Sequence, residues 1–371
     1  MTFDTELSPL RTAIQPYLAL GRPGLLPALH AAQRTYGWIS EPVAAEIARA
    51  LHVPLADVHG VIEFYTLFNN KPMGRRVIRV CTDLACALQG GEGVLDHLCA
   101  QHSIQPGQTN SDGTLTVESS PCLGLCEQAP AALVNDQAET SIHLAGNSYE
   151  LGRPRSIVGG SLRLLTANCG HGTTSFEGHG EYSALRKALT MTPAAVVEEV
   201  KAAGLVGRGG AAFPTGNKWE GAAAATGSPK YVVCKADEPE PGTFKDRVLL
   251  LDDPHTLIEG MVIAAYAIGS TEGYIYLRGE YPYIQPVLDN ALAEARANGL
   301  LGQKVLGSSF SFDIQVRLGA GAYAPGAAQK PADGARSVLP ASPGRRTVIN
   351  WSRKSRYGPR HQPPLWGSWE A

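Results

Sequence analysis

Strong charge of either sign is missing from this chain. Its 371 residues carry a formal net charge of −2 and a pI of about 6.6. That balance offers no electrostatic attraction for nucleic acid or an anionic membrane. Long apolar runs are missing too. The longest strongly apolar stretch, Met261 to Gly269, is too short to cross a bilayer, so no direct membrane insertion is expected. The first ten residues, MTFDTELSPL, lack a basic segment followed by an apolar one, and no secretion signal is read there. Cysteine is sparse, seven in all, and no two form a C-x-x-C pair, which argues against thiol–disulfide exchange. The expected compartment is the reducing cytoplasm, because four of the seven fall in a ligand pattern rather than a disulfide framework.

Those four are Cys81 and Cys86, then Cys122 and Cys126. The pattern is C-x4-C, a gap of 35 residues, and C-x3-C. Two thiol pairs on separate loops can clamp one metal centre, and iron–sulfur clusters take soft thiolate ligands. The wide, unequal pairs suit a [2Fe-2S] cluster better than zinc, whose structural knuckles use tighter C-x2-C pairs. Zinc, a redox dithiol and plain core cysteines stay open at this level.

The chain is long enough for two or three domains. Residues 9–70 read as helices: LLPALHAAQRTYG, PVAAEIARAL and ADVHGVIEFYTLF place apolar residues three and four apart. Pro42 and Pro54 fall at expected first turns. The pattern then changes to a strand ending on Cys81 (75–81), a helix (91–102), a strand entering the second pair (114–120) and another strand (131–136). This order predicts a thioredoxin-like α/β unit with both cysteine loops at one end of its sheet. Residues 137–180 are weakly patterned and read as a solvated linker, with Cys169, His171 and His179 as ordinary linker residues. A second alternation of strands and helices follows from about Tyr182, with Thr192 as a helix cap, and predicts a mostly parallel sheet.

Two loops of this second unit invite ligands. GRGGAAFPTGNKW has glycines at 207, 209, 210 and 216, so backbone amides can converge on an anion. Arg208 and Lys218 add cations, and Phe213 a ring face. The second loop, ADEPEPGTFKDR, gathers Asp237, Glu238 and Glu240, which can accept hydrogen bonds from ribityl or ribose hydroxyls and flavin N–H groups. A tight turn and a solvated acidic turn are the plain alternatives.

CTDLAC and PCLGLC, with YGWIS and VIEFYTLF, resemble the 24-kDa thioredoxin-like [2Fe-2S] subunit of respiratory complex I. Residues 180–323 resemble its 51-kDa flavoprotein subunit through GLVGRGGAAFPTGNKW, KYVVCKADEPEPGTFKDR, YIYLRGEYP and GAGAY. One chain carrying both resembles the diaphorase subunits of NAD-linked hydrogenases and formate dehydrogenases. The resemblance implies NADH:acceptor oxidoreduction, with hydride passing between NAD(H) and FMN and single electrons passing on to iron–sulfur clusters. It implies FMN contacts at Gly207, Arg208, Gly209, Gly210, Lys218, Asp237, Glu238 and Tyr323, and NADH contacts at Phe213 and Glu240. It also implies partners among the other subunits of an NADH-linked redox complex.

The chain departs from that pattern. Lys235 stands where the family has asparagine, Pro239 where it has a small residue, and Ala212 where it has glycine. Ala327 and Ala328 replace two adjacent glutamates. The family's [4Fe-4S] cysteines do not occur, so that cluster is not expected. Residues 324–371 hold seven prolines, eight Lys or Arg and two acids, and read as a disordered, frameshifted tail. This tail predicts poor FMN retention and little NADH oxidation. The expected fold class is α/β: a helical bundle (1–72), a thioredoxin-like [2Fe-2S] domain (73–145), a linker (146–180), an incomplete Rossmann-like FMN/NADH-binding domain (181–323) and the tail (324–371).

Overall fold

The computed structural model describes residues 7–145, 148–160, 163–207, 212–322 and 347–350, with 143–145, 148–151 and 347–350 as backbone only. The chain opens with α1 (Ser8–Ile14), α2 (Leu25–Tyr36), α3 (Glu41–Leu51) and α4 (Leu55–Phe64). Their apolar stripes close on one core that includes Leu10, Leu29, Ile47 and Val58. Pro42 lies in the first turn of α3. Pro54 instead precedes α4 with extended backbone.

The next unit contains β1 (Arg76–Cys81), α5 (Leu84–Leu88), α6 (Gly91–Gln101), β2 (Gln108–Thr109), β3 (Leu115–Ser120), β4 (Ala132–Val134), β5 (Gln137–Ala145) and β6 (Ser148–Gly152). The sheet order is β2-β3-β1-β4-β5-β6. The pair β1–β3 is parallel, with Cys81 opposite Ser120. Parallel strands end at the same edge, so this register delivers Cys81 and the loop of Cys122 side by side.

The sheet runs on to Gly152, past the expected boundary at 145, because β6 pairs antiparallel with β5. The stretch expected to be a solvated linker is also docked. Cys169 is fully buried. The Gly170 amide donates to Asp252 Oδ2 at 2.6 Å, and His179 sits 2.8 Å from Glu259 with its side chain 6 % exposed. Only His171 of the three is exposed. Strands β5 and β6 occupy the first part of the stretch 137–180 expected as linker; composition could not show those pairings, nor that partners for the rest wait near one helix start.

The last unit contains α7 (Ser183–Leu189), α8 (Pro193–Ala202), α9 (Thr215–Ala224), β7 (Lys230–Ala236), α10 (Lys245–Asp252), α11 (Pro254–Ile268), β8 (Glu272–Leu277), α12 (Gln285–Ala297), β9 (Asp313–Leu318) and β10 (Thr347–Asn350). The strands form an all-parallel sheet in the order β10-β7-β8-β9. The apolar helix α11 buries Ile258, Met261, Val262 and Ala265 in the core behind it. Thr192 caps α8, its hydroxyl accepting from the Ala195 amide.

Strand β10 corrects the expectation of disorder through 324–371. Thr347–Asn350 pairs with Lys230–Val233 along β7. The run Thr-Val-Ile has the β-branched character that suits a strand, and the Pro- and Arg-rich flanks outweighed it in a compositional reading. The rest of that segment lies outside the described residues.

The helical bundle and this last sheet are joined at the turn after β9. The Thr66 and Leu67 amides donate to the carbonyls of Gly321 and Ala320 at 2.8 and 2.9 Å. Gly321 has φ +77, and a Cβ there would stand 2.6 Å from Thr66 Oγ1. The turn therefore depends on glycine.

Candidate functional site

Four sulfurs meet at the end of β1 and β3. Contacts run in a row, Cys86–Cys81–Cys122–Cys126, and the Cys122 and Cys126 sulfurs are 3.3 Å apart. Local sequence arranges this. Asp83 accepts from the Leu84 amide at 2.7 Å, starting the short helix α5 that turns Cys86 inward. The same carboxylate accepts from the Cys122 amide at 3.3 Å and so ties the two loops together. Gly91 lets α6 approach, since a Cβ there would lie 2.6 Å from the Cys81 carbonyl.

Each sulfur also receives a backbone amide: Cys81 from Asp83, Cys86 from Ala131, Cys122 from Gly124 and Cys126 from Gly242. The contact with Cys126 pushes the Cys122 thiol down, and the contact with Cys81 does the same to Cys86. Contact with Cys122 pushes both Cys81 and Cys126 up. Four neutral thiols gain little from four converging N–H donors, whereas thiolates need them. Among the described residues no set of three or more His, Cys, Asp or Glu side chains converges on a single-ion position. A row of four sulfurs, each with its own amide, fits a two-iron cluster, in which each iron takes two protein thiolates. Cys99 and Cys234 lie elsewhere, each buried in an apolar core.

The C-terminal sheet closes over this end. Arg278 follows β8 and donates to the Cys122 carbonyl and, at 2.6 Å, to the Glu238 carbonyl. Arg247 in α10 is fully buried and paired with Glu127, next to Cys126. The Tyr281 hydroxyl lies 3.5 Å from the Gly124 carbonyl. The Gly242 amide reaches Cys126 Sγ at 3.2 Å. Sequence reading missed Asp83, Gly124, Gly242, Arg247, Arg278 and Tyr281. The available signal was Arg278 and Glu280, two charges directly behind an apolar strand.

The acidic loop follows β7, and the turns at Gly279 and Gly319 follow β8 and β9. All three leave the C-terminal edge of a parallel sheet, where ligands of open α/β sheets bind. Asp237 is held by Lys235, whose Nζ donates to the Asp237 carbonyl at 2.5 Å and lies 3.5 Å from its carboxylate. Glu240 is half-buried. Glu238, expected as a flavin contact, is already engaged within the chain. Its two oxygens accept from the Asp246 and Arg247 amides, each at 3.0 Å, so it caps α10 from a fully buried position. Burial pushes its carboxyl up.

The glycine loop is pinched at its neck, with the Gly207 amide donating to the Phe213 carbonyl at 2.8 Å and Thr215 to Leu205 at 2.8 Å. Lys218 is half-buried in the first turns of α9, and Phe213 is 46 % exposed. Ala212 has φ +49, the left-handed region that favours glycine. Arg208, Gly209, Gly210 and Tyr323 lie outside the described residues. The lysine and the strand-end carboxylate Asp237 suit a flavin mononucleotide, which needs a cation for phosphate and acceptors for hydroxyls, and the exposed Phe213 ring offers a face to a second planar ring.

Residues 12–145 match the family model of thioredoxin-like [2Fe-2S] ferredoxins, and residues 200–331 match that of the Nuo51 FMN-binding domain. The chain is a fusion of these two modules. The fusion is similar to the NAD-reducing hydrogenase HoxS subunit alpha of Cupriavidus necator, 35% identical over 335 residues that cover 85% of this chain and 56% of that one. Its flavin module is similar to a component of the NADH-quinone oxidoreductase of Rhizobium meliloti, 52% identical over 163 residues, 44% of this chain and 39% of the relative. Among solved structures, an NAD+-reducing [NiFe]-hydrogenase in the H2-reduced state matches with a TM-score of 0.73 and 29% identity, over 89% of this chain and 59% of that one. The chain thus spans about half the length of the relatives it matches. Among the described residues no helix is long and apolar enough to cross a membrane.

Proposed function

We propose that the fusion is a diaphorase-type subunit that moves electrons between NAD(H), FMN and a [2Fe-2S] cluster, as part of a larger NADH-linked redox complex. The supporting observation is the row of four sulfurs, each with a backbone amide, whose fourth amide comes from the acidic loop of the flavin module. FMN, when bound, exchanges a hydride with the nicotinamide and single electrons with the cluster. The chain's own residues bind and orient. Cys81, Cys86, Cys122 and Cys126 hold the cluster. Gly207 with its loop, Arg208, Gly209, Gly210 and Lys218 take the flavin phosphate. Asp237 and Tyr323 line the flavin, and Phe213 and Glu240 face the nicotinamide nucleotide. Glu238 positions the loop rather than the ligand. No side chain has to gain or lose a proton for the hydride step. The partner subunits belong to a hydrogenase, a formate dehydrogenase or a complex I-like assembly.

Two observations favour a second reading. Lys235 engages Asp237, a flavin residue by family pattern, and Ala327 and Ala328 stand in place of two family glutamates. On that reading the cluster forms and the chain passes electrons or docks without flavin chemistry. Anaerobic addition of NADH to the FMN-supplemented chain separates the two. Bleaching of the cluster absorption by NADH supports the diaphorase. A cluster that only dithionite reduces supports the second reading. The variant Gly209→Val should abolish flavin retention and leave iron content unchanged.

A further inference from the structure

We propose that the flavin module sets the reduction potential of the cluster through Arg278, a positioning residue that touches no ligand sulfur. The inference rests on the reading of Cys81, Cys86, Cys122 and Cys126 as [2Fe-2S] ligands.

Arg278 stands 156 residues beyond Cys122 in the chain and leaves β8 at its C-terminal end. It is 1 % exposed. Its guanidinium donates to the Cys122 carbonyl and the Glu238 carbonyl, lies 3.1 Å from Glu280 Oε2, and sits 5.3 Å from the Tyr281 ring centre. Two carbonyls and a carboxylate on three sides require the planar fork of arginine; the point charge of lysine cannot serve them together. The fork fixes the loop that presents Cys122 and supplies a charge that does not titrate.

Reduction of a [2Fe-2S] cluster adds one electron and no atoms, so the cluster becomes one unit more negative. A fixed positive charge beside a ligand, out of water, favours the reduced form and raises the potential. The Gly242 amide on Cys126 acts in the same direction. Glu280, 5 % exposed and paired with Arg278, acts in the opposite one. The other charges at this end are Asp83, whose carboxylate accepts from the Cys122 amide, Glu238, bound to the start of α10, and a second buried pair, Arg247 with Glu127; both variants below leave them in place. The ferredoxin module therefore reaches its working potential only with the flavin module seated on it.

The test is an EPR-monitored titration of the full chain with dithionite at pH 8. Arg278→Gln should lower the midpoint, so that at the wild-type midpoint the reduced-to-oxidised ratio falls about tenfold, 59 mV for a one-electron couple. Glu280→Gln, which removes the counter-charge, should raise it. Opposite shifts are the signature, because a loop that is merely disturbed has no reason to give opposite signs. Unmoved midpoints, or shifts of the same sign, overturn the inference. If Arg278→Gln fails to load a cluster, Glu280→Gln decides alone: a rise supports the inference and anything else overturns it. A wild-type chain with no [2Fe-2S] signal defeats the ligand reading itself and the inference with it. A normal signal with unmoved variants defeats the inference alone.

Discussion

The Gly242 amide donates to Cys126 Sγ at 3.2 Å, across 116 residues of sequence and across the boundary between the two modules. The acidic loop that follows β7 thus has two faces. One presents Asp237 and Glu240 at the C-terminal edge of the sheet. The other completes the sulfur site.

Cys122→Ser should abolish the cluster. Iron analysis after anaerobic purification should give about two irons per wild-type chain, as the cluster type requires, and essentially none in the variant. Cys99→Ala and Cys234→Ala should keep the iron, since both thiols sit in apolar cores away from the row. Zinc in place of iron in the wild type would contradict the assignment.

Gly124→Ala should loosen the docking of the two modules. Gly124 has φ +70, and an added Cβ would stand 2.7 Å from Arg278 Nη1, a buried atom with nowhere to move. The left-handed backbone alone costs about 1–3 kcal/mol for a residue with a side chain. Urea denaturation of the variant should show that loss, together with faster release of iron on dilution.

Glu238→Ala should destabilise the chain even with no flavin present. It removes the acceptor of two amides at the start of α10 and the negative charge at that helix end. The expected loss is about 1–3 kcal/mol per buried donor left unmade, measured by unfolding of the flavin-free chain. If Glu238 served only as a flavin ligand, that measurement would not change.

His179 makes stability fall at alkaline pH. Burial alone would lower its pKa, but Asp253 and Glu259 outweigh burial and raise it from 6.5 to about 9. A raised folded-state pKa means the stabilisation is complete below about 6.5 and is lost as pH rises through about 9. His179→Gln should be less stable than wild type at pH 6 by about 1–3 kcal/mol. The gap should narrow by pH 9.5, read from urea midpoints at the two values. A gap that is constant with pH would show that His179 contributes through packing alone.

Hydrophobic periodicity and turn residues were enough to place α2 through α4, the strands that carry the cysteines, and the parallel strands of the flavin module. Each of these elements satisfies its own backbone and shows its buried face in its own residues. The elements that escaped include β2, β5, β6, α5, α7, α9, α10 and β10. They are short or flanked by loop-like composition, and a tertiary partner or a cap holds them rather than a local pattern. The role of Glu238 escaped for a related reason. Its neighbours in sequence, Asp237 and Glu240, are acids at a strand end, and only the fold brings the amides of Asp246 and Arg247 to its oxygens.

By itself the sequence determined the two modules and singled out the four cysteines proposed as ligands, because thiolate chemistry needs cysteine and a close backbone turn needs glycine, and both are visible as letters at fixed spacing. Even the strain at Ala212 was foreshadowed, as a departure from glycine where the structure shows φ +49. Only the tertiary structure decided what surrounds the sulfurs. Arg278, Arg247, Tyr281 and Gly242 reach the cluster end from up to 157 residues away. Buried charge and amide direction depend on distance in space, which no spacing along the chain encodes.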